Sequence, residues 1–365
     1  MKLPVLDDLI DEQMKIYHAP PDENLFVLGP PGSGKTTMAV YRTQYLRNLK
    51  RSAVLITKNR MLAALALQLG GEKIAANTMN TFFTKDFSSR FGYIAPQPVQ
   101  RFHYDWPAVM AQYESAQVEP TLDHLIIDEG QNLPAAFYSW AVRYGAKTVT
   151  VFADEDQTTD GQRASIQDIC NAPMPEPFRL MENHRNTEEI AQVAEHFHHR
   201  GNTLPPGIVR RGRSGSVPRL EFVSGWSQAV TLIANGYRNR GGSIGVLVHT
   251  IQDAIDLQTL LQATLEPGTR VDVYTHKAPK ESEHKIKLMT PGITVLTSLA
   301  VIGLEFNTVY LQDLFRPSRE SLTDEQRRLY MLCARARDHL TIFNGLPPLT
   351  QHQLSRLPAP NLLNR

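Results

Sequence analysis

Residues 25–40 read LFVLGPPGSGKTTMAV, a short apolar run followed by a glycine-rich turn and the opening of a helical stretch. The turn fits GxxxxGK[ST] as Gly29, Gly34, Lys35 and Thr36. Glycines let successive backbone N–H groups turn toward a bound phosphate, and the helix start adds positive potential. The expected cradle is Gly29, Pro30, Pro31, Gly32, Ser33, Gly34, Lys35, Thr36 and Thr37. Lys35 is placed to reach the terminal phosphates, and the Thr36 hydroxyl to ligate Mg2+. The stretch therefore predicts a strand, a phosphate loop and a helix in that order.

Working outward, SAVLIT (52–57), HLIID (124–128) and TVTVFAD (148–154) are further apolar runs of strand length. Helical patterns separate them, which predicts an α/β protein with a doubly wound parallel sheet and its chemistry at the carboxyl ends of the strands. A proline-rich stretch, NAPMPEPF (171–178), precedes a second series: LEFV, IGVLVH, VDVYTH, ITVLTS, TVYLQDL and HLTIFN, again interleaved with helices. The expected division is a first lobe over 1–172 with a short insertion at 84–122, a second lobe over 173–346, and a mobile or docking tail over 347–365. Helices are expected over residues 6–18, over NTEEIAQVAEHF with a capping box from Asn186 to Glu189, and over DEQRRLYMLCARAR (324–337).

The 365 residues allow two or three domains, and 42% hydrophobic with 21% charged residues is ordinary globular usage. No apolar run approaches a membrane span, and the acidic start MKLPVLDDLIDEQ is unlike a secretory signal, so a cytoplasmic location is expected. Cys170 and Cys333 stand in no metal or redox spacing. A formal net charge of +1 makes any nucleic-acid contact a local matter. The basic stretch RRGRSGSVPR (210–219) reads more simply as a solvated loop than as a phosphate contact.

Hydrolysis needs one carboxylate for the metal and one for the attacking water, and HLIIDEGQ offers Asp128 and Glu129 directly after an apolar strand. The ordered set DEQ, GPPGSGKTT, DEGQ, DEDQ, ENHRNT, GLEF and RRLYMLCARAR resembles the UvrD/Rep type of superfamily 1 helicases and translocases. That resemblance implies two RecA-like lobes with ATP between them and Mg2+ as cofactor. It implies Gln13 as the reader of adenine, His184 in place of the tyrosine that stacks on it, and Gln157 as the sensor of the γ-phosphate. Arg185 and Arg335 match the two arginines extended by the second lobe, and Glu305 matches a residue near the ribose and phosphates. Arg337 reads as a helix-surface charge.

The departures cluster where relatives grip nucleic acid. Asp160 and Gln162 stand where a tyrosine and a tryptophan are usual, while Arg163 is retained; Lys58, Asn80, Leu299 and Val301 also replace usual residues. The second lobe has no room for a duplex-engaging subdomain. The expected partner is single-stranded nucleic acid, DNA before RNA, with a protein partner such as a nuclease or a repair or defence factor, and no membrane. The alternative is an ATP-driven switch subunit that controls such a partner with little translocation. The insertion interleaves Phe87, Phe91, Tyr93, Phe102, Tyr104, Trp106 and Tyr113 with Arg90 and Arg101. This reads as a small aromatic core before a base-stacking platform. His196, His198 and His199 read as a solvated helix end rather than a zinc site.

Overall fold

A computed structural model describes residues 3–97, 101–154, 164–198, 208–209, 215–312, 315 and 322–365. Contacts divide the chain into Leu3–Pro30 with Gly34–Met181, and Glu182–Arg365 with Pro31–Ser33. Each unit is built on one six-stranded, all-parallel sheet, and the two are RecA-like lobes.

In the first lobe the elements run α1 (Asp11–Tyr17), β1 (Leu25–Leu28), α2 (Lys35–Asn48), β2 (Ala53–Thr57), α3 (Arg60–Gly70), β3 (Ala76–Thr78), α4 (Met79–Phe91), α5 (Trp106–Ser115), β4 (His124–Ile127), α6 (Ala135–Trp140), β5 (Thr148–Ala153), α7 (Ile166–Asn171) and β6 (Phe178–Arg179). The sheet order is β3-β2-β4-β5-β1-β6. Every residue of β4 and β5 is buried, as expected of strands covered by helices on both faces. The proline-rich stretch ends as β6, paired to β1 through Val27 with Phe178 and Leu28 with Arg179.

Residues 6–18 do not form one helix. A single 3-10 turn, Leu6–Asp8, is followed by extended backbone at Ile10 before α1 begins. The break has a local cause: the Ile10 N–H donates to Gln13 Oε1 at 3.3 Å, a helix start capped by its own third residue. Behind α1, the fully buried Arg42 of α2 donates to the carbonyls of Ala19 and Pro20, fastening the chain that leads into β1. His124, at the start of β4, is 1% exposed. Its Nδ1 lies 3.2 Å from the Pro21 carbonyl and its Nε2 2.7 Å from Thr150 Oγ1. A carbonyl can only accept, so Nδ1 carries the proton of a neutral ring. Burial, and then the nearby Arg42 charge, push the pKa of His124 down to about 3.

Among its described residues the insertion has no strand of its own. Phe83, Phe87, Tyr104, Trp106 and Tyr113 are buried; Phe83 and Tyr113 meet Trp140 of α6 at 5.0 and 5.8 Å between ring centres, Trp106 meets Phe137 at 5.9 Å, and Phe87 and Tyr104 pack on Phe83. Tyr93 and Phe102 remain exposed.

The second lobe runs β7 (Glu182–Asn183), α8 (Glu188–His196), β8 (Ile208–Val209), β9 (Arg219–Phe222), α9 (Trp226–Arg240), β10 (Ser243–Val248), α10 (Ile251–Thr264), β11 (Val271–Tyr274), β12 (Gly292–Thr297), β13 (Phe306–Leu311), α11 (Leu322–Cys333), β14 (Ala336–Asn344) and α12 (Gln351–Ser355). Its sheet order is β11-β12-β10-β13-β14-β9. The core between sheet and helices includes Ile233, Val246, Leu257, Leu261, Ile293 and Val295.

Two expectations need correction here, and a third is decided between its alternatives. Helix α8 starts at Glu188 behind Thr187 rather than at an Asn186 capping box, because the Asn186 amide is taken by the carbonyls of Ala334 and Ala336 at 3.1 and 2.5 Å. Helix α11 stops at Cys333, so Arg335 lies in a turn and Arg337 on β14. Of the two expectations for the tail, mobile or docking, the structure shows docking, onto its own lobe. Leu357 and Leu363 are buried, and Asn364 extends the sheet edge by pairing with Pro218 and Leu220 of the β9 segment. That pairing covers backbone groups that an edge strand otherwise leaves exposed.

Candidate nucleotide site

Strands β4, β5 and β1 are neighbours in the first sheet, and all three point the same way, so their carboxyl ends emerge side by side. Leu28 is paired with Ala153, and the Gly29 N–H continues the ladder by donating to the Ala153 carbonyl at 3.3 Å. The phosphate loop therefore leaves the sheet next to the residues that follow β4 and β5. Gly34 closes the loop at φ +89°, a conformation that side chains other than glycine rarely adopt. A Cβ there would also come within 2.6 Å of Gln13 Nε2, which places the candidate adenine reader against the loop.

Lys35 opens α2 and is 7% exposed. Its Nζ donates to the carbonyls of Gly29 and Pro30 at 2.6 and 2.9 Å, and lies 3.3 Å from Asp154 Oδ2. The ammonium is thus held over the loop rather than released to solvent. Thr36 Oγ1 donates to Asp128 Oδ2 at 2.7 Å, bringing together the two residues expected to hold the metal. The other carboxylate oxygen, Asp128 Oδ1, is buried and has no hydrogen-bond partner among the described residues. An orphaned buried acceptor beside a hydroxyl suits a hard, oxygen-preferring cation such as Mg2+. Burial, and secondarily the charge of Glu129, raise the Asp128 pKa, while the Thr36 hydrogen bond and Lys35 oppose the rise.

Glu129 stands at φ 56°, ψ 42°, left-handed backbone that a glutamate seldom adopts. Its side chain is almost fully buried and accepts from Gln131 Nε2 at 2.6 Å. Strain of this kind, typically about 1–3 kcal/mol, persists where surrounding contacts impose it, and such positions gather at active sites. Asp154 and Gln131 were not among the residues singled out from sequence. The signal lay in the acidic end of TVTVFAD and in the glutamine of DEGQ.

In the second lobe, three stretches distant in sequence meet. Asn183 Oδ1 accepts from the N–H groups of Arg185 and Asn186 at 3.0 and 3.2 Å, and Asn183 Nδ2 donates to Asn186 Oδ1 at 2.9 Å. Through Asn186 this knot is tied to the turn that carries Arg335. Arg185 forms an ion pair with Glu305, and His184 Nε2 lies 3.3 Å from Glu182 Oε2. Glu305 and Arg335 immediately precede β13 and β14, whose first residues, Phe306 and Ala336, are paired in register. These residues therefore sit at the amino ends of their strands, where sequence reasoning expected carboxyl ends.

Arg335 is 1% exposed, and its Nε and Nη1 donate to the carbonyls of Met331 and Leu304 at 2.9 and 3.2 Å. Met331 is in the last turn of α11, whose carbonyls lack partners along the helix and carry partial negative charge. Gln157, Asp160, Gln162 and Arg163 lie outside the described residues, as do His199 and residues 210–214 of the basic stretch. His196 bonds the Arg356 carbonyl at 2.9 Å, and His198 meets the Tyr330 ring edge-on. Among the described residues no helix is long and apolar enough to cross a membrane.

Residues 13–162 match a family model described as an AAA domain. No curated protein matches the chain. Among solved structures, similarity extends to the C-terminal domain of a possible DNA helicase from Lactobacillus plantarum WCFS1, with 21% identity and a TM-score of 0.35 over 50% of this chain and 99% of that one. It extends also to the PRRSV helicase, with 14% identity and a TM-score of 0.44 over 92% of this chain and 55% of that one.

Proposed function

We propose that this chain, a core of the superfamily 1 helicase type, hydrolyses ATP and uses the cycle to act on single-stranded nucleic acid, DNA before RNA. The observation that carries the proposal is the juxtaposition, at the ends of β1 and β4, of Lys35, Thr36 and the buried pair Asp128 and Glu129. Backbone groups from Gly29 to Thr37 cradle the phosphates, and Gln13 and His184 take the adenine. Thr36 and Asp128 hold Mg2+, which supplies positive charge to the phosphate oxygens when bound. Glu129 accepts a proton from the attacking water, Lys35 and the guanidinium groups of Arg185 and Arg335 offset charge on the transferred phosphoryl group, Gln157 senses the γ-phosphate, and Glu305 orients Arg185. The setting is the cytoplasm.

A second reading, an ATP-driven switch that controls a protein partner such as a nuclease or a repair or defence factor, has one specific support. Val301, at a position where relatives have a strand-gripping residue, is fully buried, and Leu299 presents an exposed apolar side chain. Neither supplies a polar hold on a phosphate backbone.

Phosphate release by the purified chain with Mg-ATP, alone and with single-stranded DNA, RNA or duplex, tests both readings. The motor reading expects single strands to raise the rate, and expects Lys35→Ala and Glu129→Gln to abolish it. No stimulation at any salt concentration removes the motor, and stimulation by a co-purifying protein alone supports the switch.

A further inference from the structure

The buried glutamine that follows the carboxylate pair has no assigned part in the reaction proposed above, and its geometry gives it one. Gln131 is 2% exposed and makes two directed hydrogen bonds. Its Oε1 accepts from the backbone N–H of Asp154 at 2.9 Å, and its Nε2 donates to Glu129 Oε2 at 2.6 Å. The amide cannot be turned over. A backbone N–H can only donate, so the oxygen must face Asp154 and the NH2 must face Glu129.

The neighbouring contacts leave this turn little freedom. Tyr138 donates its hydroxyl to the Gly130 carbonyl at 2.5 Å, and a Cβ on Gly130 would approach that hydroxyl to 2.7 Å and Val151 to 2.8 Å. Between these fixed points Glu129 is held in left-handed backbone, its carboxylate aimed by the amide of Gln131. The far end of the amide is anchored on the last residues of β5, where the Asp154 carboxylate lies 3.3 Å from the ammonium of Lys35. A continuous buried chain thus runs from Glu129 through Gln131 and Asp154 to Lys35.

We propose that Gln131 is the positioning residue for Glu129: it aims the water-activating carboxylate, and it ties that aim to the β5 end that also bears on Lys35. The inference rests on the reading of Glu129 as the general base. A hydrogen bond to an ionised group is among the strongest a side chain makes, so its loss should be visible in turnover while the phosphate cradle stays intact.

The test is the kinetics of the full chain carrying Gln131→Met, which keeps the size of the side chain and removes both hydrogen bonds, and Gln131→Glu, which keeps the acceptor for Asp154 and removes the donor to Glu129. Wild type, Glu129→Gln and the double variant Glu129→Gln, Gln131→Met are run alongside. The expected result is a kcat about 10-fold or more below wild type for both single substitutions at Gln131, with KM for ATP and affinity for a fluorescent ATP analogue within about 3-fold. The double variant should be no slower than Glu129→Gln, because the two residues act as one unit. The inference is overturned by wild-type kcat in Gln131→Met, by wild-type kcat in Gln131→Glu, which would make the bond to Asp154 the only one that matters, or by losses that add in the double variant. It is overturned equally by a fall in kcat matched by lost nucleotide affinity and a lower thermal midpoint, the signature of a structural role. Glu129→Gln turning over like wild type removes the general-base reading itself and is recognised separately from these outcomes.

Discussion

The two lobes share a sheet plan and carry their candidate residues at opposite ends of it. In the first lobe Lys35, Asp128 and Glu129 follow strands, at the carboxyl edge, where the N-terminus of α2 arrives. In the second, Glu305 and Arg335 precede strands, at the amino edge, where α11 ends. The difference follows from helix polarity. Helix N-termini offer free N–H groups and positive potential, which suit a phosphate; helix C-termini offer free carbonyls and negative potential, which suit a guanidinium. Arg335 is accordingly held by neutral carbonyls, whereas the ammonium of Lys35 is shared between carbonyls and a carboxylate. One lobe is shaped to receive an anion and the other to store a cation.

The largest expected effect falls on the anion side. Glu129→Gln should lower ATP turnover by about 10²–10⁴-fold with little change in thermal midpoint, measured by phosphate release and by melting of the same preparation. On the cation side stability should separate the two arginines. Arg335→Ala leaves two buried carbonyls without their donor and opens space behind them, an expected loss of roughly 3–5 kcal/mol in denaturant unfolding of the second lobe. Arg185, only partly buried and paired with Glu305, should cost under about 1 kcal/mol when replaced by alanine while still depressing turnover. If Arg185→Ala destabilises the lobe as much as Arg335→Ala does, the distinction between a stored and a presented guanidinium is lost.

Asn186→Ala should cost roughly 2–3 kcal/mol, because its amide is what ties Asn183–Asn186 to the Arg335 turn. An effect of similar size depends on pH and belongs to the first lobe. His124 is neutral in the folded state, with its pKa pushed down to about 3, against an ordinary value near 6.5. Between those values the unfolded chain binds the proton and the folded chain does not, so stability is present above pH 6.5 and lost as pH falls. Acidification to pH 5 should remove about 2 kcal/mol through this group. His124→Gln should flatten the difference between unfolding free energies at pH 7 and pH 5; an unchanged slope would mean that other groups set it.

Much of the first lobe's candidate site was legible because its chemistry is local. The phosphate loop spans residues 29–37 in one uninterrupted stretch, and the carboxylate pair abuts an apolar strand. Parallel strand order then brings the two together. The second lobe's cluster was harder because its geometry is made by long-range pairing. Nothing near Arg335 in sequence indicates that Leu304 supplies an acceptor, or that Asn186 is spent on the Ala334 and Ala336 carbonyls instead of on a helix cap. The tail stayed open for a similar reason: a proline-rich segment reads as mobile or docking until Leu357 and Leu363 find buried sites and Asn364 meets the β9 edge.

The aromatic insertion shows the reverse case. A segment that could have been a platform for bases is mostly core, because Trp106 and Tyr113 pack against α6 and Phe87 packs against Tyr113. Among its described aromatic residues, Tyr93 and Phe102 are the exposed ones.

The most direct test of the account compares wild type with Glu129→Gln for phosphate release from Mg-ATP, with nucleotide binding measured on the same samples. The account predicts that both proteins bind nucleotide with similar affinity and that only the wild type releases phosphate at an appreciable rate. Equal rates in the two proteins, or nucleotide bound by a wild type that never turns it over under any nucleic-acid condition, would contradict it.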